Sequence, residues 1–239
     1  MTASTLLISA LAEIKFFYYE FVIIICLCVI FSKPSYKSIL LVALSVIIMV
    51  FALSIIEKIF PEQAAVVTNV DETLSYASVE GGGYNIPRLG AFSKINKLFF
   101  SNDTLKKLFG QGLGSCEMSA YSFLTSDFYR EFGHYNYRWF SHMMLYLETG
   151  FIGVFLYLSV FIGTFVHAVK HRKALNKDGN IHIAAFVQIL SVMAIINTFY
   201  NSSLRAEPQY LYFFALSACM VYCKALGKKP RGEVVSATA

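Results

Sequence analysis

The sequence predicts an all-α integral membrane protein, with about five transmembrane helices and one large extracytoplasmic loop that contains a membrane-parallel amphipathic helix. Three observations lead there. The 239 residues are 56% hydrophobic and only 15% charged, with a mean hydropathy of +0.57, too little charge to solvate the surface of a soluble domain. Apolar runs recur at lengths of about 17 to 25 residues, enough to cross a hydrocarbon core of about 30 Å. Lysine and arginine gather in alternate short connections between those runs.

The first span is predicted at about Phe16 to Phe31, opening on the aromatic interfacial stretch FFYYEF. The preceding MTASTLLISALA is apolar but too short to span, and lacks the basic start of a signal peptide. Further spans are expected at 38–60, 143–168, 183–204 and 207–226. The chain thus divides into two first helices (1–60), an outer loop (61–141), a three-helix bundle (142–226) and a polar, disordered cytoplasmic tail (227–239). Lys33 and Lys37 lie between the first two spans. Lys170, Arg172, Lys173 and Lys177 follow the third, and Lys224, Lys228, Lys229 and Arg231 follow the last. These basic connections and the C-terminus belong in the cytoplasm, which leaves the N-terminus and the long loop outside. Seven cations inside the loop do not disturb that assignment, because loops longer than about 60 residues escape the charge rule.

Within the loop, Leu89, Phe92, Ile95, Leu98 and Phe99 recur at helical spacing, as in a helix lying on the membrane surface. Gly81 to Gly83 break the chain before it, and Gly110, Gly112 and Gly114 predict a tight turn after it. Aromatics crowd the return to the bilayer from Phe128 to Phe140; such rings suit the interface first and, second to that, stacking on sugars. The net charge of +5 is small and no extended basic patch or phosphate-cradling glycine loop is present, which excludes nucleic acid as a partner. Four of the five cysteines (Cys26, Cys28, Cys219, Cys223) lie in apolar runs and Cys116 is alone in a polar segment, so neither a disulfide framework nor a zinc site is expected.

Two polar stripes carry the candidate chemistry. On one continuous helix His142, Tyr146, Thr149, Gly150, Gly153 and Tyr157 share a side, and the glycines admit close approach of another helix. His142 fits either an interfacial histidine reaching for water or a base at the outer boundary. Glu148, nearly two turns deeper, requires a partner or water. On the fourth span Asn197, Asn201 and Arg205 stand at i, i+4 and i+8, a pattern that serves helix–helix hydrogen bonding or a site equally well. Arg88, after Pro87, is either a solvated loop cation or a bidentate ligand for phosphate. Transport would call for paired midplane charges or an inverted repeat; the spans show Glu20, Glu57 and Glu148 and no repeat. A catalytically silent assembly partner is the remaining reading from another class.

The pattern PRLGAF…KLFGQGLGS…SHMMLYLETGFIGV resembles the O-antigen polymerase and O-antigen ligase superfamily of bacterial envelope polysaccharide enzymes. The resembling positions are Arg88, the turn from Leu108 to Gly114, and His142, Leu147, Glu148, Gly150 and Gly153. Met143 stands where such proteins often carry Asn, and the resemblance covers roughly the C-terminal half of a typical member. It implies glycosyl transfer on the outer face of the bacterial inner membrane, from a glycan on undecaprenyl pyrophosphate to another lipid-linked repeat or to lipid A core. It implies no cofactor and no metal, with other polysaccharide-assembly proteins as partners. His142 would act as base or acceptor-orienting group and Arg88 as pyrophosphate clamp. Arg138, Arg205, Glu148 and Asn201 would contact or position the substrate.

Overall fold

The computed structural model describes residues 16–32, 36–59, 84–88, 90–101, 103–177, 180–206 and 208–227, and among these every regular element is helical. The first dozen residues, the Gly81–Gly83 break, Leu89, Glu207 and the tail beyond Gly227 lie outside the described residues. Two long helices come first, α1 (Phe16–Phe31) and α2 (Tyr36–Ile59). The segment between α2 and the next long helix then forms α3 (Ala91–Ile95), which continues into a wide π turn at Asn96–Phe100, followed by α4 (Thr104–Phe109) and α5 (Asp127–Phe132). Asp103 caps α4 by accepting the Leu105 and Lys106 amides at 2.9 and 3.3 Å, and Ser126 caps α5 by accepting the Tyr129 amide at 3.0 Å. Three long helices follow, α6 (Ser141–Lys177), α7 (Ile181–Tyr200) and α8 (Pro208–Gly227).

The third predicted span begins earlier and is not one straight rod. Gly150 has φ 63° and ψ −164° and breaks α6 into an upper part, Ser141 to Thr149, and a lower part from Phe151 onward. Register shows how sharply it folds. The Ser141 amide donates to the Asn201 carbonyl at 2.9 Å, while the Tyr157 hydroxyl reaches the Leu204 carbonyl at 3.4 Å. In a straight helix Ser141 and Tyr157 would stand about 24 Å apart along the axis. Their partners are three residues apart in a compact turn, so the upper part must swing away from the axis of the lower. The helical wheel drawn through Gly150 therefore fails. Tyr146 bonds Asn96 at 2.6 Å and packs with α3 and its π turn, whereas Tyr157 belongs to the bundle.

The lower part of α6 packs along α7, where Thr164 and Ser191 exchange a hydrogen bond at 2.9 Å and Phe161, Ala168, Val187 and Ala194 are fully covered. The fourth predicted span ends at Tyr200, four residues early, and gives way to a 3₁₀ turn at Ser203–Arg205. Asn201 and Arg205 are consequently not on the helical face with Asn197. That residue stays inside the bundle, its amide donating to the Tyr212 hydroxyl at 3.2 Å and facing the Glu20 carboxylate of α1.

Among the described residues Ser141–Lys173 and Ile181–Tyr200 are long and apolar enough to cross a membrane, and Tyr19–Phe31 and Gln209–Tyr222 are shorter apolar helices. Large apolar side chains point outward along them, Phe155 at 71% exposure and Phe214 at 73% among them. This helical set is compatible with a membrane protein, in which such faces meet lipid rather than water.

The amphipathic segment expected at 89–99 is helical over its described residues and packs Ile95 and Phe99 on protein, with Phe92 half-buried and Leu98 36% exposed. Ala91, Ile95, Phe99 and Phe100 are buried against Met143, Met144, Tyr146 and Leu147 of upper α6, in one core with Ile86, Tyr137 and Phe140.

Candidate functional site

The chain reaches Arg88 through a fixed backbone. Asn136 clips the buried Ile86 from both sides, accepting its amide at 2.8 Å and donating to its carbonyl at 3.3 Å. Gly90, at φ 82°, then turns the chain into α3. Between those two constraints Arg88 projects its guanidinium between two rings, 4.7 Å from the Phe140 centroid and 4.5 Å from Tyr200. Stacking of this kind holds the guanidinium plane and leaves its N–H edges for a planar or tetrahedral anion. No described carboxylate pairs with it.

His142 stands beside this clamp. Its ring is 2% exposed and packed among Phe92, Phe140 and Phe199, with centroids at 5.8, 6.2 and 5.3 Å. Arg88 lies close enough to bear electrostatically on the ring, and the peptide carbonyls of Thr198 and Arg88 approach it. Neither Nδ1 nor Nε2 reaches a partner in hydrogen-bond geometry. A buried imidazole whose nearby carbonyls fall short of full hydrogen-bond geometry is a costly arrangement in a finished core, and a useful one where a substrate hydroxyl must find an acceptor.

A second cluster forms where the glycine turn meets the break in α6. The Gln111 amide donates to the Leu147 carbonyl at 2.7 Å and the Gly112 amide to the Glu148 carbonyl at 3.0 Å, using acceptors that the break at Gly150 releases. The Glu148 carboxylate, 7% exposed, accepts the Gly114 amide at 3.2 Å, and its charged neighbours are Arg205 and Glu117. Arg205 pairs with Glu117 at 2.6 Å. Backbone packing here leaves no room for side chains: a Cβ on Gly110 would lie 2.3 Å from the Glu148 carbonyl carbon, and one on Gly150 2.3 Å from the Leu108 carbonyl. The glycines expected to admit a close neighbour therefore do so at Gly150, and the neighbour is the end of α4 rather than another spanning helix. At Gly153 a Cβ would instead meet the Thr149 side chain one turn earlier.

The six predicted residues thus separate. Arg88 and His142 share the aromatic clamp, and Glu148 and Arg205 share the glycine-turn cluster. Asn201 is engaged at the chain turn: its side-chain oxygen accepts the Ser203 amide at 2.9 Å and its carbonyl takes Ser141. Arg138 is exposed, donating to the Tyr129 hydroxyl at 3.0 Å and lying over that ring at 5.2 Å. Tyr129 walls an open groove of about 600 Å³ that also takes in Arg130 and His134 and includes neither Arg88 nor His142. Sequence reasoning missed Glu117 as the partner of Arg205 and Phe140 as half of the Arg88 clamp. No spacing signal links residues so far apart, although the aromatic crowding before α6 pointed at the region.

Cys116 and Tyr137 brace the floor of the segment between α2 and α6. The Tyr137 hydroxyl donates to the Cys116 carbonyl at 3.1 Å, both side chains are fully covered, and burial pushes the Cys116 thiol up to about 12 and raises the Tyr137 phenol as well. Both stay neutral through the physiological range. Among the described residues no three His, Cys, Asp or Glu side chains converge as a metal site would need. No family model, no curated protein and no solved structure matches this chain.

Proposed function

We propose that the chain is a glycosyltransferase of bacterial cell-surface polysaccharide assembly, acting on the outer face of the cytoplasmic membrane. It joins oligosaccharide repeats carried on undecaprenyl pyrophosphate, by polymerisation or by ligation to lipid A core. The observation that carries this reading is the pairing of Arg88, held between Phe140 and Tyr200, with the buried, unpartnered His142. Transfer of a glycosyl group from a pyrophosphate builds negative charge on the leaving group. A guanidinium with fixed plane and open edges stabilises that charge where it develops. The acceptor hydroxyl must lose its proton as the new bond to the anomeric carbon forms, and an imidazole nitrogen held in no well-formed hydrogen bond receives it. Glu148, on the same upper part of α6 as His142, holds the glycine turn through the Gly114 amide, and Arg205, in the turn after α7, pairs with Glu117 beyond it. The membrane orientation belongs to the same proposal: segment 84–140 outside, the basic connections and C-terminus inside.

The test is chromosomal replacement in the native host. His142→Ala and Arg88→Ala are each expected to abolish long-chain surface glycan on gels while protein level and membrane insertion persist. Arg88→Lys should also fail, since an ammonium keeps the charge but loses the planar fork. A normal glycan ladder from either alanine variant removes that residue from the mechanism.

A further inference from the structure

We infer that α4 and the glycine turn form a membrane-surface anchor, seated in the outer interface of the bilayer against lipid. The inference rests on the membrane reading above and goes beyond it. Leu105, Leu108 and Phe109 fall at i, i+3 and i+4 on α4, and all three are exposed, at 68%, 38% and 60%. Leu113, at the tip of the turn, is 82% exposed. A six-residue helix thus turns its apolar stripe outward while α3, the element with the clearer helical spacing, turns its own stripe inward.

Three features select lipid as the occupant. First, the patch is continuous with the outward face of lower α6: the Leu108 carbonyl abuts Gly150, and Phe151 and Phe155, just beyond, are 44% and 71% exposed. A surface shared with a spanning helix meets whatever that helix meets. Second, the turn carries little unmet backbone polarity on the side of α6. The amides of Gln111, Gly112 and Gly114 are taken by the Leu147 carbonyl, the Glu148 carbonyl and the Glu148 carboxylate. Irregular backbone tolerates a low-dielectric setting only when so satisfied. Third, Lys106 and Lys97 are exposed nearby, where ammonium groups at the ends of long stems reach anionic headgroups. The close packing of Gly110 on the Glu148 backbone and of Gly150 on the Leu108 backbone makes the anchor rigid with the break in α6, so it sets the height of upper α6, and of His142, above the bilayer.

The full chain, reconstituted in nanodiscs of phosphatidylethanolamine and phosphatidylglycerol, tests this. Trp139, the single tryptophan and itself 66% exposed, is first replaced by Phe. Leu113→Trp and, separately, Leu105→Trp then report the anchor, and Phe155→Trp reports the spanning helix; all three sites are open enough to take the ring. The expected result is loss of emission from all three with lipids brominated along the acyl chain. The two anchor sites should respond most to bromines near the headgroup, with little quenching by aqueous acrylamide. Quenching of Phe155→Trp by lipid, with both anchor positions open to acrylamide, overturns the anchor and leaves the membrane reading standing. Absence of lipid quenching at all three overturns both.

Discussion

Gly150 is the residue on which the arrangement turns. It sits at a positive φ that side chains other than glycine rarely adopt, and the carbonyl of Leu108 occupies the place of its Cβ. Gly150→Ala is therefore expected to destabilise the protein by about 3 kcal/mol, combining backbone strain with the displacement of α4. Gly163 has open space around its missing Cβ and an ordinary helical φ, so Gly163→Ala in the same α6 should leave the melting temperature unchanged or raise it. Thermal unfolding in detergent distinguishes the two, and equal melting temperatures would remove the close-packing account of Gly150. At this scale the sequence was half legible. The glycines stood out by type, but a helical wheel assumes continuity, and only the docking of α4 shows that Gly150 ends one helix and starts another. Arg88 and His142 were legible as residue types suited to anion binding and proton transfer. That they meet was not, because the meeting depends on the Asn136 clip and on two aromatic rings from separate parts of the chain.

At the scale of elements, the turn between α7 and α8 shows where periodicity misleads. Asn197, Asn201 and Arg205 repeat every four residues, yet the helix stops at Tyr200, where the Asn201 side chain competes for the backbone by accepting the Ser203 amide. Asn201, Ser202 and Ser203, turn formers ahead of Pro208, were the signal that should have outweighed the spacing. The consequence is a specific forecast for Asn201. Its side-chain oxygen is spent on the Ser203 amide, so Asn201→Ala should cost about 1 kcal/mol of stability. Asn201→Asp, which keeps the acceptor, should restore it. Surface glycan of normal length is expected from both variants. Loss of long-chain glycan from a fully stable Asn201→Ala protein would return Asn201 to the substrate contacts. The amphipathic segment teaches the same lesson from the other side. Ile95 and Phe99 carry the spacing of a surface helix, but upper α6 folds over them, and the exposed apolar stripe passes to the shorter α4. A helical moment states which face is apolar and leaves open whether protein or lipid covers it.

For the whole molecule, the long apolar helices and their order were legible because length and apolarity are local properties, whereas sidedness depends on where the cations end up. The proposed orientation puts the clamp of Arg88 and His142 outside, and it is open to direct measurement. Native thiols interfere little on the outer segment: Cys116 is fully covered and, with its thiol pushed up to about 12, stays protonated at any labelling pH near neutrality. A raised thiol value keeps the unreactive form below it, so Cys116 should ignore a membrane-impermeant maleimide from pH 7 to pH 8. Phe123, 78% exposed in the outer segment, and Lys173, exposed at the far end of α6, are suitable engineered positions. In intact spheroplasts Phe123→Cys should label at once and Lys173→Cys only after permeabilisation. The reverse pattern would place guanidinium and imidazole in the cytosol, away from any glycan already flipped across the membrane, and the proposed transfer reaction would have no substrate to act on.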